Sequence, residues 1–133
     1  MGPSGPIVHS QNGVNYAQTK AGNVLLAKAY QAEHANDGII SNSWNPGNLY
    51  SELQRHVPWI GQMVLKLLLY PTVYGGYTEL YAGWGEDSGK QERKGAYYGP
   101  WGRVVRLRAD VQDSPVQKEF LAWCEKETKP FAS

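Results

Sequence analysis

The order of elements between residues 14 and 47 constrains the fold more than any other part of the chain. Apolar residues recur at helical spacing over residues 14–36, and Gly38, just after the last turn, is typical of a helix end. A short strand over residues 39–44 then leads into the turn Asn45-Pro46-Gly47. This order of helix, tight turn and strand is half of a βαβ unit. We therefore expect an α/β fold, a partial Rossmann-like (doubly wound) domain with two or three strands and about four helices.

Two side chains near the start of this helix, Tyr16 and Lys20, lie four positions apart and therefore on one helix face. An ammonium close to a phenol favours the phenolate, which suits a tyrosine that exchanges a proton with an alcohol or carbonyl oxygen. Asn23, one turn beyond Lys20, adds a polar group to that face. The pair alone is weak evidence because any helix brings such residues together, but the strand and Pro-Gly turn that follow strengthen it.

The rest of the chain is predicted to alternate between helices and short strands. Residues 1–13 are rich in Gly, Pro and Ser and indicate a flexible arm, which leaves residues 14–133 as the folded part. The later elements are helical regions over residues 51–69 and 74–84, a strand over residues 95–98, a turn at Pro100-Trp101-Gly102, and a final helix with Ser114 as N-cap and Pro115 at N1 that ends near Thr128. We assign packing roles to Trp44 and Trp101.

Composition excludes several classes of function. A formal net charge of +1 with scattered charges argues against a nucleic-acid surface. The single cysteine, Cys124, excludes an internal disulfide, and we expect it to serve packing in the final helix. No pair among His9, His34 and His56 has metal-ligand spacing, so no metal is predicted. The first residues lack the features of a signal peptide, and we expect a cytoplasmic protein.

The apolar stretch at residues 59–69 permits two interpretations. It is too short and too interrupted to span a bilayer. It is either a helix that belongs to the core or covers a substrate, or a peripheral membrane contact at the lipid surface.

Four segments together resemble a known family far more specifically than the Tyr/Lys pair does. Residues 16–23, 45–53, 70–80 and 95–98 are similar to the C-terminal half of a short-chain dehydrogenase/reductase, in the retinol-dehydrogenase-like group and especially its fungal members. The resemblance extends from residue 14 almost to the C-terminus. It implies an NAD(P)-dependent oxidoreductase that acts on a small-molecule alcohol or carbonyl, with NADP somewhat preferred over NAD.

The resemblance also implies roles for particular residues. The motif tyrosine, Tyr16, would be the general acid/base, and Lys20 would promote its ionisation and bind the nicotinamide ribose. Pro46 and Gly47 would lie beside the nicotinamide, and Ser51 would contact the carboxamide or the pyrophosphate. The segment over residues 53–69 would be a lid over the substrate, with Trp59 and Met63 as candidate contacts or as packing residues.

The chain also departs from the family pattern. No Gly-x-x-x-Gly-x-Gly turn and no Asn-Asn-Ala-Gly segment is found, and Ser4, twelve positions before Tyr16, has no strand before it to make it the catalytic serine. Only fifteen residues precede Tyr16, so we expect the N-terminal nucleotide-binding half to be missing. The alternative is therefore a catalytically inactive, truncated fragment that forms a homo- or hetero-oligomer through the helix over residues 14–36. In such a fragment, the strand over residues 39–44 would keep unpaired edges.

Overall fold

Three short strands form one sheet flanked by helices, which confirms the predicted α/β class. The computed structural model describes residues 12–132, apart from the side chains of residues 12, 13, 53 and 54. The predicted arm therefore lies mostly outside the described residues. The elements are α1 (Asn12–Glu33), β1 (Ser43–Trp44), α2 (Trp59–Leu68), α3 (Val73–Trp84), β2 (Tyr97–Gly99), β3 (Arg103–Val104), α4 (Ala109–Gln112) and α5 (Ser114–Thr128), with short 3-10 helices at Glu52–His56, Gln91–Arg93, Pro100–Gly102 and Lys129–Phe131.

The sheet has the order β1-β2-β3, with β2 in the centre. β1 runs parallel to β2, with Ser43 opposite Tyr97, and the long connection between them carries α2 and α3. Two parallel strands require such a crossover connection, because the chain must return to the end of the sheet at which the first strand began. β3 then pairs antiparallel with β2, with Tyr98 opposite Val104.

The first strand is shorter than the predicted strand over residues 39–44. The buried side chain of Gln31 accepts a hydrogen bond from the Ser41 backbone N–H at 2.8 Å and donates one to the Ile39 carbonyl at 3.3 Å. These backbone groups are therefore bound to α1 instead of a neighbouring strand. Only Ser43 and Trp44 remain in the sheet, so the prediction was wrong for residues 39–42.

The turn after β2 was predicted, but the strand that follows it was not. Trp101 (φ 68°) and Gly102 (φ 69°) both adopt left-handed backbone conformations, which reverse the chain. The Trp101 ring packs edge-on against Tyr70 and Tyr74, with ring centroids 4.9 and 5.3 Å away. Such contacts can hold a non-glycine residue in this conformation, and they agree with the packing role predicted for Trp101.

The predicted helical region over residues 51–69 is two helices. A 3-10 helix, Glu52–His56, is followed by α2, which begins at Trp59. Pro58 separates them because proline lacks a backbone N–H and disfavours the helical conformation in the preceding residue. A continuous helix was therefore a wrong prediction.

The final helix has the predicted extent but a different start. α5 runs from Ser114 to Thr128, and its N-cap is Asp113, with extended backbone angles (φ −70°, ψ 114°). Ser114 was predicted as the N-cap but already has a helical position, with Pro115 in the first turn. The preceding short helix, α4, was not predicted.

Close packing of α1 against α5 builds one side of the molecule. The Phe120 ring lies over Gly22, where an added Cβ would stand 3.0 Å from the Phe120 Cζ. Val24, Leu25 and Ala29 of α1 are buried. The other side is built by α3 and the sheet, where Ala82, Ala96 and Tyr98 form a small core. None of the helices in the part of the chain that the structure describes is both long and apolar enough to cross a bilayer.

Candidate functional site

A cleft of about 720 Å³ lies between the first half of α1 and the turn that follows β1. It brings together four of the five predicted site residues: Tyr16, Lys20, Pro46 and Gly47 all line it. The fifth, Ser51, lies beyond the turn, just before the 3-10 helix, and is not among the lining residues. Residues 26 to 31 positions apart in sequence thus share one cavity because β1 returns the chain alongside α1.

Tyr16 and Lys20 project from successive turns of α1. The Lys20 Nζ lies 5.5 Å from the centroid of the Tyr16 ring, within the range of a cation–π contact. The Tyr16 side chain is 66% exposed, so its hydroxyl is accessible to a ligand. Thr19 sits between them in sequence, and its hydroxyl donates to the Tyr16 carbonyl at 2.8 Å. The arrangement places an accessible phenol and an ammonium at the cleft.

The turn at the other wall of the cleft is held by its own side chain. The Asn45 Oδ1 accepts a hydrogen bond from the Gly47 backbone N–H at 2.9 Å, which closes an Asx turn around Pro46. The Asn45 backbone N–H donates to the Tyr98 carbonyl at 2.8 Å, which anchors the turn to β2. Gly47 has φ 88°, which favours glycine, and Pro100 packs against it.

Several polar and aromatic lining residues were not predicted as part of a site. Asn42, Ser43, Asn48 and Tyr97 line the cleft, and so does Trp44, to which a packing role alone was assigned. Trp44 is partly exposed at the end of β1, because a two-residue strand does not bury it on both faces. One signal was available, since polar residues at the carboxyl end of a strand commonly line a ligand crevice.

The predicted lid lies apart from the cleft residues. Trp59 and Met63 are both largely exposed on α2, and neither lines the cleft. Their role as substrate contacts stays a prediction. Ser4 and His9 lie outside the described residues.

The described histidines have local partners. His34 Nδ1 lies 2.7 Å from a carboxylate oxygen of Asp37, and His56 Nε2 accepts a hydrogen bond from Arg55. Over residues 12–132, no group of three or more His, Cys, Asp or Glu residues is placed to hold a metal ion.

A second, more apolar groove of about 610 Å³ separates α1 from α5. Leu26, Tyr30, Leu121 and Cys124 contribute to its walls. Burial raises the pKa of the Cys124 thiol, and the neighbouring Glu125 carboxylate raises it further. The thiol is therefore protonated at neutral pH, which agrees with a packing role and not with a nucleophile.

The sequence is similar to several fungal proteins named short-chain dehydrogenase/reductase. It is 36% identical over 129 residues to one from Phomopsis amygdali, covering 87% of this chain and 39% of that protein. It is 34% identical over 125 residues to bet4 of Neocamarosporium betae, covering 87% of this chain and 36% of that protein. It is 36% identical over 129 residues to iacJ of Pestalotiopsis fici, covering 93% of this chain and 39% of that protein.

The chain thus spans about two fifths of the length of the curated relatives it matches. No protein-family model matches the sequence. No solved structure matches it either.

Proposed function

We propose that the chain forms the catalytic part of a short-chain dehydrogenase/reductase, an NAD(P)-dependent oxidoreductase that interconverts an alcohol and a carbonyl compound. The observation that carries this proposal is the shared cleft, in which Tyr16 and Lys20 face the Pro46–Gly47 turn. The similarity to fungal proteins of that name over most of this chain supports it. The retinol-dehydrogenase-like group and a preference for NADP belong to the same proposal.

Tyr16 is the proposed general acid/base. Its phenol gives a proton to the carbonyl oxygen in reduction and takes one from the hydroxyl in oxidation. The exposure of Tyr16 allows a substrate oxygen to reach this hydroxyl. Lys20, on the next turn, is the proposed partner of Tyr16, with its ammonium 5.5 Å from the centroid of the Tyr16 ring.

The cleft residues fit the nicotinamide end of the cofactor. A cavity of about 720 Å³ has the size usual for small-molecule sites, and its lining mixes polar groups with flat rings. The Lys20 ammonium and the Asn48 amide can donate hydrogen bonds to a sugar, and Trp44 and Pro46 offer apolar surface to a planar ring. When bound, the nicotinamide supplies or accepts the hydride.

The Asx turn has a positioning role in this proposal. The hydrogen bond from the Gly47 N–H to the Asn45 side chain fixes the conformation of the turn without a ligand. A wall fixed before binding lowers the entropy cost of holding a ligand in a reactive orientation. Asn45 therefore acts through Pro46 and Gly47.

The test is a titration of the purified chain with NADPH and then NADH, followed by tryptophan fluorescence and its transfer to the reduced nicotinamide. Trp44 lines the cleft and is the internal reporter. We expect saturable quenching at micromolar cofactor that is lost when Tyr16→Phe is combined with Lys20→Ala. We also expect Trp44→Phe to remove most of the energy transfer.

Trp84→Phe is the matched control, because Trp84 is highly exposed at the end of α3 and does not line the cleft. It should leave the saturable part of the signal unchanged. No saturable response to either cofactor, in a sample whose circular dichroism shows a folded chain, would contradict the proposed function and favour a fragment that acts through another chain. If the cofactor binds, reduction of small carbonyls should then depend on Tyr16.

A further inference from the structure

Helix α2 presents an apolar face away from the rest of the described chain. The outer face of α2 consists of Trp59, Ile60, Met63, Val64, Leu67 and Leu68, whose exposed fractions range from 52% to 86%. Trp59, Met63 and Leu67 form one row along the helix, and Ile60, Val64 and Leu68 form a second row beside it. Together the two rows make one continuous stripe. No residue of α2 is buried. An ordinary surface helix has the opposite arrangement, with its apolar stripe facing the core.

The opposite side of α2 contacts the residues just before the helix. The Gln62 side chain donates to the Val57 carbonyl at 2.9 Å, Val57 packs against Gly61, and Leu65 is half buried. These hydrogen-bond and packing contacts join residues within five positions, and none of them involves the outer face. The outer face is left for a partner from outside.

The formal charges in the sequence interval that contains α2 all have one sign. No Asp or Glu occurs between Glu52 and Glu79, and the formal charges within that interval are those of Arg55 and Lys66. Both side chains are exposed. The Lys66 ammonium lies 5.8 Å from the centroid of the Tyr50 ring at the side of the helix. A partner that covers this face therefore meets apolar side chains bordered by positive charge.

This combination matches an anionic lipid surface. At 10 residues, α2 is about 15 Å long, which is too short to cross a bilayer and suits a helix lying in the interface. Trp59 stands at the first position of α2, and Tyr70 lies two residues after its last position, where the Tyr70 ring also packs against Trp101. Tryptophan and tyrosine favour the headgroup level, where an apolar ring meets water.

We propose that the outer face of α2 docks onto the surface of an anionic membrane, with its apolar side chains at the level of the acyl boundary and Arg55 and Lys66 among the headgroups. This docking does not depend on the proposed oxidoreductase activity, because no residue of α2 lines the cleft.

The test is co-sedimentation of the purified chain with mixed phosphatidylcholine and phosphatidylserine vesicles. Leu67→Gln should lower the partition coefficient about tenfold, because it removes one fully exposed leucine from burial in lipid. Lys66→Gln should lower it about fivefold on anionic vesicles and leave it unchanged on pure phosphatidylcholine. Phe131→Gln is the matched control, since Phe131 is as exposed as Leu67, at 86%, and lies outside α2.

Three results would overturn the proposal. The first is no partition to anionic vesicles, and the second is an equal loss with Phe131→Gln and Leu67→Gln, which would indicate non-specific adsorption. The third is a change of oligomeric state in Leu67→Gln without lipid, measured by sedimentation velocity, which would make a second copy of the chain the occupant. If Leu67→Gln instead raises KM for a carbonyl substrate without affecting vesicle binding, the outer face of α2 covers the substrate.

Discussion

The Asn42 side-chain oxygen accepts a hydrogen bond from the Ala96 backbone N–H at 3.0 Å, across 54 positions of sequence. The amide nitrogen of the same side chain donates to the Ala82 carbonyl at 3.0 Å. One residue therefore ties the segment entering β1 both to the C-terminal part of α3 and to the residue before β2. Because Asn42 also lines the cleft, the stability of the cleft wall depends on these two bonds.

Replacing Asn42 should destabilise the fold. In Asn42→Ala, the Ala82 carbonyl loses its side-chain partner and the Ala96 N–H keeps only the Arg93 carbonyl as acceptor. Two hydrogen bonds in a largely buried setting are lost, at a total of about 1–3 kcal/mol of unfolding free energy. Urea unfolding followed by circular dichroism measures this. Asn36→Ala is the control, because Asn36 lies in the exposed turn after α1, and its change should stay within about 0.5 kcal/mol. Equal losses of unfolding free energy in both variants would mean that the two hydrogen bonds of Asn42 contribute nothing to stability.

Two adjacent glycines of α3 should respond in opposite ways to alanine. At Gly75, an added Cβ would overlap a methyl group of Leu49 and stand 3.1 Å from the Pro46 Cβ. We expect Gly75→Ala to cost about 1–3 kcal/mol from overpacking and to displace the turn that carries Pro46. Cofactor affinity, where it is measurable, should fall with it.

Gly76 supplies the control for that prediction. An added Cβ at Gly76 meets nothing within 4 Å, so Gly76→Ala gains helix propensity without a clash. It should be neutral or stabilising by up to about 1 kcal/mol. Thermal unfolding of both variants distinguishes the cost of overpacking at Gly75 from the gain in helix propensity at Gly76. A stabilising Gly75→Ala would show that Leu49 moves aside freely.

Tyr98 carries the largest fully buried side chain of the described chain, and its hydroxyl has no hydrogen-bond partner there. Tyr98→Phe should therefore keep the packing and leave the unfolding free energy unchanged or raise it by about 1 kcal/mol. Tyr98→Ala should cost about 3–5 kcal/mol, as for other buried aromatic residues. A loss of stability in Tyr98→Phe would reveal a partner for the hydroxyl.

Burial also raises the pKa of Tyr98, which predicts a pH dependence. The folded chain keeps this phenol protonated at a pH where the unfolded chain, with a tyrosine pKa of about 10, releases the proton. The unfolded state then binds fewer protons, so stability should fall as pH rises above about 10. The free energy of unfolding, measured below and above that pH, should fall less in Tyr98→Phe than in the wild type. An equal drop would contradict this origin.

Cys124 should react slowly with alkylating reagents at neutral pH. Its raised pKa leaves less thiolate than in free cysteine, and the thiolate is the nucleophile. Labelling by iodoacetamide, followed by mass spectrometry from neutral to alkaline pH, should therefore be slower than for glutathione and should reach the free rate in urea. Glu125→Gln removes the neighbouring negative charge and should increase the rate. Labelling as fast as glutathione near pH 8 would mean that the groove between α1 and α5 does not shield the thiol.

Local rules accounted for much of the chain. The apolar period, a glycine beyond the last turn and a proline at the start predict α1, α3 and α5 within a few residues of their ends, because these signals act within one or two helical turns. The turn Asn45-Pro46-Gly47 was predicted for the same reason, since its own side chain closes it. The spacing of Tyr16 and Lys20 placed them together because both lie on one helix.

Long-range contacts decided the remainder. β1 begins only at Ser43 because Gln31 of α1 binds the backbone of residues 39 and 41. No local sequence pattern predicts these two hydrogen bonds. Likewise, β3 forms because β2 offers it an edge for pairing.

The sequence by itself therefore determined the type of most elements and the placement of Tyr16 and Lys20 on one helix face, because both depend on neighbours within a few positions. Only the tertiary structure decided that Asn42, Trp44 and Asn48 join Tyr16 and Lys20 in one cleft while Ser51 does not line it. That outcome depends on how β1 returns alongside α1. It is set by hydrogen bonds such as the one from the Ala96 N–H to the Asn42 side chain, which joins residues 54 positions apart.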